Sequence, residues 1–500
     1  MKIAIVGAGF AGLSSAKVLR ELGHDIVVYE KAPDVGGVWS ATRRYPGLKT
    51  QNDKGTYSLS DLAMPADYPE WPSGEQVQAY LERYADTFGL RPLLRLGTEV
   101  THAAPAPGGG WDVTTAGGTE HADHLVLASG IFSRPFIPPI PNADVFAKLG
   151  GRIIAASDWH DRDLVRDKNV IVLGYGKSAC DITVEISQVA ASTTVVAREL
   201  LWKMPRKIKG VVNYKYLMLT RLGEGLFRYR SVSGPEKVLH ARNSMLANQM
   251  LGSVEKVTTG QLGLRSVGLV PDGRFADIAR STVSLVSEGF FEGVADGSIA
   301  VRRDDVVSQF VERDGRAYAE LASGEQLPAD VVIAATGWTQ DIPFLDDEVM
   351  DRLTDDNGDF LLYRQIHPVD VPDLSFAGYN SSFFSPLSAE VSAIWIGSML
   401  GGNHTLPDRD EMRRRVGERL AWMRERTRGK HARGTNVIPF SVHNIDEVLS
   451  DVGINVGPLT RAKQWLLPIR PQNYRHITPA LAQRLRRRPA PAARPVVAQA

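Results

Sequence analysis

Cysteine is nearly missing from this chain, with Cys180 standing alone among 500 residues. A single thiol excludes an internal disulfide, a paired-thiol redox centre and any zinc site needing two thiolates from one chain. An excess of one charge is missing too, because 58 Lys and Arg face 57 Asp and Glu for a formal net charge of +1. That balance gives the whole chain no general attraction for nucleic acid or for an anionic membrane, so no nucleic-acid partner is expected. Long apolar runs are absent as well. No stretch of about 18 uninterrupted apolar residues occurs, and residues 1–6 meet Gly7 too early for a secretory leader, so neither a membrane span nor a signal peptide is expected. A cytoplasmic location is the corresponding expectation.

What is present is enough hydrophobic residue, 43%, to bury two or three domains. Residues 3–6 form an apolar run of strand length, followed by glycines, a helix-period stretch through Leu13, Ala16, Val18 and Leu19, and a second run at 26–29. The same grammar returns at residues 170–173, 177–189 and 194–197. Two strand-helix-strand units predict an α/β chain with two doubly wound, Rossmann-like domains. Two further apolar runs, at 125–130 and 331–337, end in small residues and mark where the chain leaves one domain and returns. Prolines at 135, 138, 139 and 141 predict an extended crossover after the first of them.

The expected organisation is a first domain over 1–160, a second, inserted domain over 161–330, and the remainder of the first over 331–483. An irregular or helical insertion over about 207–280 is expected to cover the active site. The segment 484–500, rich in Arg, Pro and Ala, is expected to be disordered.

The chemistry lies in the glycines. Gly7-Ala8-Gly9-Phe10-Ala11-Gly12 follows a strand and opens a helix: Gly7 permits the tight turn, Gly9 lets backbone approach a pyrophosphate, and Gly12 lets helix and strand pack closely. Helix N-terminal amides then hold the phosphates. Glu30, at the end of the next strand, is placed to accept from ribose hydroxyls, and Lys31 follows it. Gly36-Gly37-Val38-Trp39 adds a glycine pair at the spacing seen in FAD-dependent enzymes. The second motif, Gly174-Tyr175-Gly176-Lys177-Ser178-Ala179, replaces the third glycine by alanine, an accepted variant. Its following strand ends in Arg198, where an NAD site usually has an acid, and a guanidinium there suits a 2′-phosphate. Lys203 and Arg206 lie near enough in sequence to help. Glu199 argues the other way, since a carboxylate accepts from a free ribose.

These motifs, with Tyr45-Pro46-Gly47-Leu48-Lys49-Thr50-Gln51-Asn52 and Ala335-Thr336-Gly337, resemble those of the flavin-containing monooxygenases and their Baeyer-Villiger relatives. A weaker echo continues through residues 385–390 and Trp395. The resemblance implies FAD on the first unit and NADPH on the inserted second unit, with Val100, Thr336 and Gly337 among the cofactor-binding residues. It implies a small-molecule substrate and dioxygen as partners, and it leaves room for a homodimer. Asn52 matches the family asparagine beside the flavin, where an amide can donate to a peroxide oxygen without titrating. By the same resemblance one oxygen atom passes through a C4a-(hydro)peroxyflavin to nitrogen or sulfur, with Baeyer-Villiger oxidation of a ketone or a dehydrogenase without oxygen insertion as alternatives. The chain departs from the family's linker fingerprint after Phe146, where Ala155 stands at the histidine position and Trp159 at the terminal aromatic. His160 lies outside that register.

Overall fold

The two glycine-bearing units fold as two parallel sheets in the computed structural model, which describes residues 1–241, 245–280 and 284–487. Along the chain the strands are β1 (Lys2–Val6), β2 (Asp25–Tyr29), β3 (Leu94–Arg95) and β4 (His124–Leu127), then β5 (Arg152–Ala155), β6 (Asn169–Leu173), β7 (Ser192–Ala197), β8 (Ala300–Arg303) and β9 (Val331–Ala334), and finally β10 (Leu374–Phe376). The first sheet has the order β10-β4-β1-β2-β3 and the second β8-β7-β6-β9-β5, every pair parallel. Ile3 through Val6 and Val170 through Leu173 are buried without alternation, as strands covered on both faces must be. The return of β10 to the first sheet makes the second unit an insertion into the first.

The sheets correct the expected boundaries. β5 and β9 pair with each other in the second sheet, Arg152 opposite Val331 through Ala155 opposite Ala334. Limits at 160/161 and 330/331 therefore cut through that sheet, which runs from residue 152 to residue 334. An apolar run closing in small residues ends a strand of either sheet, and the pattern does not say which. The two passages between units lie side by side, because Arg134–Pro135 pairs antiparallel with Trp338–Thr339. The proline-rich stretch after Pro135 is not helical, as its fixed φ values require.

Helices α1 (Phe10–Glu21) and α2 (Lys177–Ser187) follow β1 and β6. The 207–280 region holds short helical turns and one longer helix, α3 (Leu246–Gln261). Helix α4 (Ser385–Leu400) is apolar on almost every side and lies along α1, at such close range that a Cβ on Gly397 would sit 2.2 Å from Leu22 Cδ1. Helices Arg409–Thr427 and Ser441–Val452 come next, and the last two α-helices among the described residues are α5 (Pro458–Lys463) and α6 (Ile477–Arg486). The segment expected to be disordered from Arg484 begins inside α6. There Arg484 donates to Val452 O at 3.1 Å and Gly453 O at 3.2 Å, and Leu485 packs against Gly401. Residues 488–500, the rest of that segment, lie outside the described residues. Among the described residues no helix is long and apolar enough to cross a membrane.

Helix-strand contact at the first turn leaves no room for a side chain. A Cβ on Gly12 would lie 1.7 Å from Gly7 O, a backbone atom that cannot swing aside. Gly12→Ala should therefore lose about 1–3 kcal/mol through overpacking, despite the ~1 kcal/mol that alanine gains over glycine within a helix. A thermal melt should show a lowered Tm; an unchanged or raised Tm would contradict this packing.

Candidate functional site

The two glycine turns are built alike. Gly7 has φ +110° and Gly174 φ +111°, a left-handed conformation that favours glycine. A Cβ there would meet the carbonyl of the neighbouring strand's end, Ala128 O at 2.5 Å in one unit and Ala335 O at 2.6 Å in the other. Gly9 and Gly176 then cap α1 and α2 in extended conformation, with no side-chain cap on either helix. Both helices thus begin with free amides aimed out of the strand ends, where an anion is favoured.

At the first turn the glycine pair folds back over the motif. Gly36 N donates to Ala8 O at 3.1 Å, and a Cβ on Gly9 would be 3.5 Å from Gly37 Cα. Glu30 accepts from Ala8 N at 2.7 Å and Ala32 N at 2.9 Å, so its carboxylate sits at the mouth of the turn. Gly37, Val38 and Trp39 form a single helical turn. Trp39 and Phe10 both pack edge-on against Tyr57, at 5.7 and 5.4 Å between ring centroids. Gly12 and Ala11 lie in the first turn of α1. Lys31 is exposed beyond Glu30, whereas the Val100 side chain is buried in the core. A bare backbone cradle of this kind, floored by Gly9 and Gly37 and edged by an acid, fits a dinucleotide diphosphate and ribose.

The second cradle is open too, since nothing lies within 4 Å of where a Gly176 Cβ would be. Its charges are arranged less simply than sequence suggests. The Lys177 ammonium is engaged by Asp181 and by Ser287 Oγ at 3.2 Å, and burial lowers its pKa, so this residue offers a ligand its backbone only. Lys203 is buried on Tyr175 O at 2.6 Å and Ser284 Oγ at 3.1 Å, and Arg206 lies over Trp71 at 4.9 Å. Neither remains a free phosphate-binding cation of the kind their sequence positions suggested. Arg198 stays exposed at the end of β7, while Glu199 beside it forms an ion pair with Lys430. Thr336 and Gly337 border this second turn through Ala335, and Thr336 Oγ1 donates to Phe136 O in the crossover. Ala155 ends β5 in the core, Trp159 is fully buried, and His160 Nδ1 bonds Arg44 O at 3.1 Å.

One loop joins the two cradles, the segment that contains Asn52. Tyr45 OH reaches Ser178 Oγ at 3.3 Å and Asp181 Oδ2 at 3.2 Å, and a Cβ on Gly47 would collide with Glu185 of α2. Gln51 Oε1 accepts from Leu285 N at 3.1 Å. Asn52 is buried with both ends of its amide engaged: Oδ1 accepts from Tyr214 OH at 3.0 Å and Nδ2 donates to Phe383 O. Asp53 accepts from Lys215 Nζ at 2.9 Å. Tyr214, Lys215 and Leu285 were not singled out from sequence. Tyr214 and Lys215 had only the mixture of aromatics and lysines in the 207–280 stretch as a signal, and Leu285, beyond that stretch, had none.

The matched turns define a class of protein, a two-unit dinucleotide-binding fold whose crevices share one loop. The description of flavin-binding monooxygenase-like proteins matches residues 1–458, and the chain belongs to that family. It is similar to flavin-containing monooxygenase 1 of Canis lupus familiaris, 26% identical over 441 residues that cover 84% of this chain and 77% of the relative. It is also similar to a Baeyer-Villiger monooxygenase of Streptomyces coelicolor, 32% identical over 352 residues covering 68% of this chain and 64% of the relative. Among solved structures, S-allyl-L-cysteine S-oxygenase from Allium sativum superposes with a TM-score of 0.64 at 18% identity, covering 97% of each chain. Cyclohexanone-bound cyclohexanone monooxygenase gives 0.67 at 18% identity, covering 90% of this chain and 96% of that one. Both structures share the fold.

The segment carrying Tyr214 is itself anchored by a buried charge cluster. His443 lies between Glu224, at 3.2 Å, and Glu236, at 2.6 Å, and stacks near Tyr229 at 4.5 Å. Burial opposes the imidazolium, but hydrogen bonds and attraction from the two carboxylates outweigh it and raise the pKa from 6.5 to about 9. A raised folded-state pKa gives stability that is complete below the unfolded value and lost as pH climbs through the folded one. Tm should therefore fall between about pH 6.5 and pH 9, and His443→Gln should flatten that alkaline limb while lowering Tm at neutral pH. An alkaline limb unchanged in the variant would contradict the assignment.

Proposed function

We propose that this protein is an NADPH-consuming, FAD-dependent monooxygenase that transfers one oxygen atom to a nitrogen or sulfur centre of a small molecule. The observation that carries the cofactor reading is the pair of matched glycine turns joined by the 45–53 loop. In this reading Gly7, Gly9, Gly12, Glu30 and Gly37 hold FAD. Gly174, Gly176 and the first amides of α2 hold the NADPH diphosphate. Arg198 takes the 2′-phosphate, and the pairing of Glu199 with Lys430 supports this, because the carboxylate is occupied while the guanidinium, without an ion pair among the described residues, can form a bidentate contact. Bound FAD supplies acceptance of hydride and activation of dioxygen, chemistry no side chain here provides.

The chain's own groups position, exclude water and hold protons. Asn52 fixes the loop from within through Tyr214 and Phe383, and Gln51 beside it has an Nε2 without a hydrogen bond among the described residues. Together they offer a non-titrating amide donor beside the reacting oxygen. The preference for nitrogen or sulfur over a ketone rests on charge. Oxygen transfer to a carbonyl needs an anionic oxygen donor, yet the cations near the loop are already paired, Lys215 with Asp53 and Glu70, Lys49 and Arg206 with Glu288. The Streptomyces relative supports the second reading, ketone oxidation.

Turnover under isotopically labelled dioxygen with NADPH and a panel of sulfides, tertiary amines and ketones tests the proposal. One label atom should appear in a sulfide or amine product. Label confined to an ester from a ketone favours the second reading, and NADPH consumption that yields only hydrogen peroxide with every compound overturns oxygen transfer altogether. Arg198→Ala should raise KM for NADPH roughly tenfold or more, the worth of a lost charged hydrogen bond, with KM for NADH nearly unchanged. Equal effects on the two coenzymes would remove Arg198 from the 2′-phosphate site.

A further inference from the structure

The balanced charge of the whole chain conceals a sharp local imbalance. Residues 452–500 contain nine of the 58 Lys and Arg and none of the 57 Asp and Glu, which leaves 49 against 57 in residues 1–451. Inside this acid-free stretch, α5 and the turns after it have an inverted apolar pattern. Helical hydrogen bonding runs on from Gly457 to Leu467, through Arg461 N to Gly457 O, Gln464 N to Thr460 O and Leu467 N to Lys463 O. At helical spacing Leu459, Lys463, Leu466 and Leu467 occupy one face, within an arc of roughly 100°. That face points to solvent: the three leucines are 80%, 71% and 52% exposed. Beside that face, turned toward the protein, lies Gln464, only 2% exposed, which accepts from Arg221 Nε at 3.0 Å and from Arg221 N at 2.8 Å.

Polar side inward and leucines outward is the reverse of what water favours, and the structure holds it firmly. Arg221 bridges Gln464 to Asp446, and Ile469 N bonds Leu219 O at 2.9 Å. Exposed Lys463 within the leucine face and exposed Arg470 just beyond it are free of ion pairs among the described residues. A Cβ on Gly225 would lie 3.6 Å from Trp465 and 3.5 Å from Leu239, and across this glycine the short helix Glu236–Leu239 adds exposed Lys237 and Val238, the latter 67% exposed.

We propose that this face is a docking surface for an anionic lipid bilayer. Leucines fixed outward and ringed by unpaired cations complement an interface with apolar acyl chains below and negative headgroups above. A protein partner would have to match this leucine face and its cations in shape, whereas a bilayer supplies the apolar layer and the anions without shape complementarity. A nucleic-acid backbone would leave the leucines uncovered, and the one aromatic of the turn on which a single strand could stack, Trp465, lies on the protein side. Such docking would hold the protein on a membrane surface without spanning it, consistent with the lack of a long apolar helix among the described residues.

Co-sedimentation of the full-length protein with vesicles of phosphatidylcholine alone, or of phosphatidylcholine mixed with phosphatidylglycerol, tests this. Binding to the mixed vesicles should exceed binding to neutral ones by about tenfold or more and should fall as salt is raised. The double variant Leu466→Glu, Leu467→Glu should lose that binding. So, independently, should Lys463→Glu with Arg470→Glu, while circular dichroism and NADPH oxidation remain as in the parent. Equal binding to both vesicle types, retention of binding by both variants, or a leucine variant that alters only the oligomeric state of a protein that never sediments would each overturn the proposal. The last of these would assign the face to a second copy of the chain.

Discussion

Everything in the functional half of this molecule depends on a backbone constraint met twice, a left-handed glycine wedged between a strand end and the carbonyl of the strand beside it. At Gly7 and again at Gly174 there is no space for a Cβ, because Ala128 O and Ala335 O already occupy it. The turn is thereby forced to pass close over the sheet and to launch a helix whose first amides point outward with no side chain across them. An anion-binding site follows from that geometry without any charged residue being required, which is why Lys177 and Lys203 can turn inward and serve as internal struts.

A second consequence concerns communication between the two units. The loop from Tyr45 to Asp53 springs from the first unit yet takes most of its side-chain bonds from the second and from its insertion: Ser178, Asp181, Leu285, Tyr214 and Lys215. Any movement of one unit against the other must therefore load this loop. The paired crossover strands at Arg134–Pro135 and Trp338–Thr339 are a further tie, and the ion pair of Glu199 with Lys430 is another. Ala155 is enclosed at the end of β5 and takes no part in these ties.

Much of this was legible in the residues, and for a physical reason. Glycine spacing and continuous apolar runs report backbone constraints that are local, so both β-α-β units, their order and the insertion of one within the other could be read directly. Sheet membership could not, because an apolar run such as residues 331–334 carries no label for the strands it will join. Nor could pairing of charges. Lys203 and Arg206 look like phosphate ligands in one dimension and are drawn inward by Tyr175 O and by the Trp71 ring in three. The partners of Asn52 come from Tyr214 and Phe383, which lie 162 and 331 residues away along the chain, and such contacts have no local signature. The inverted face of α5 was hidden in another manner, by a total charge near zero that averages an acid-free end against an acidic remainder.

The central claim is that the two glycine turns hold a flavin and a nicotinamide close enough for hydride to pass between them. The most direct measurement is the visible flavin absorbance of the purified protein during anaerobic addition of NADPH. The account predicts a yellow protein whose flavin band bleaches in proportion to the NADPH added and returns on admission of air. A colourless protein that takes up no FAD, or a bound flavin that NADPH leaves oxidised, would contradict it.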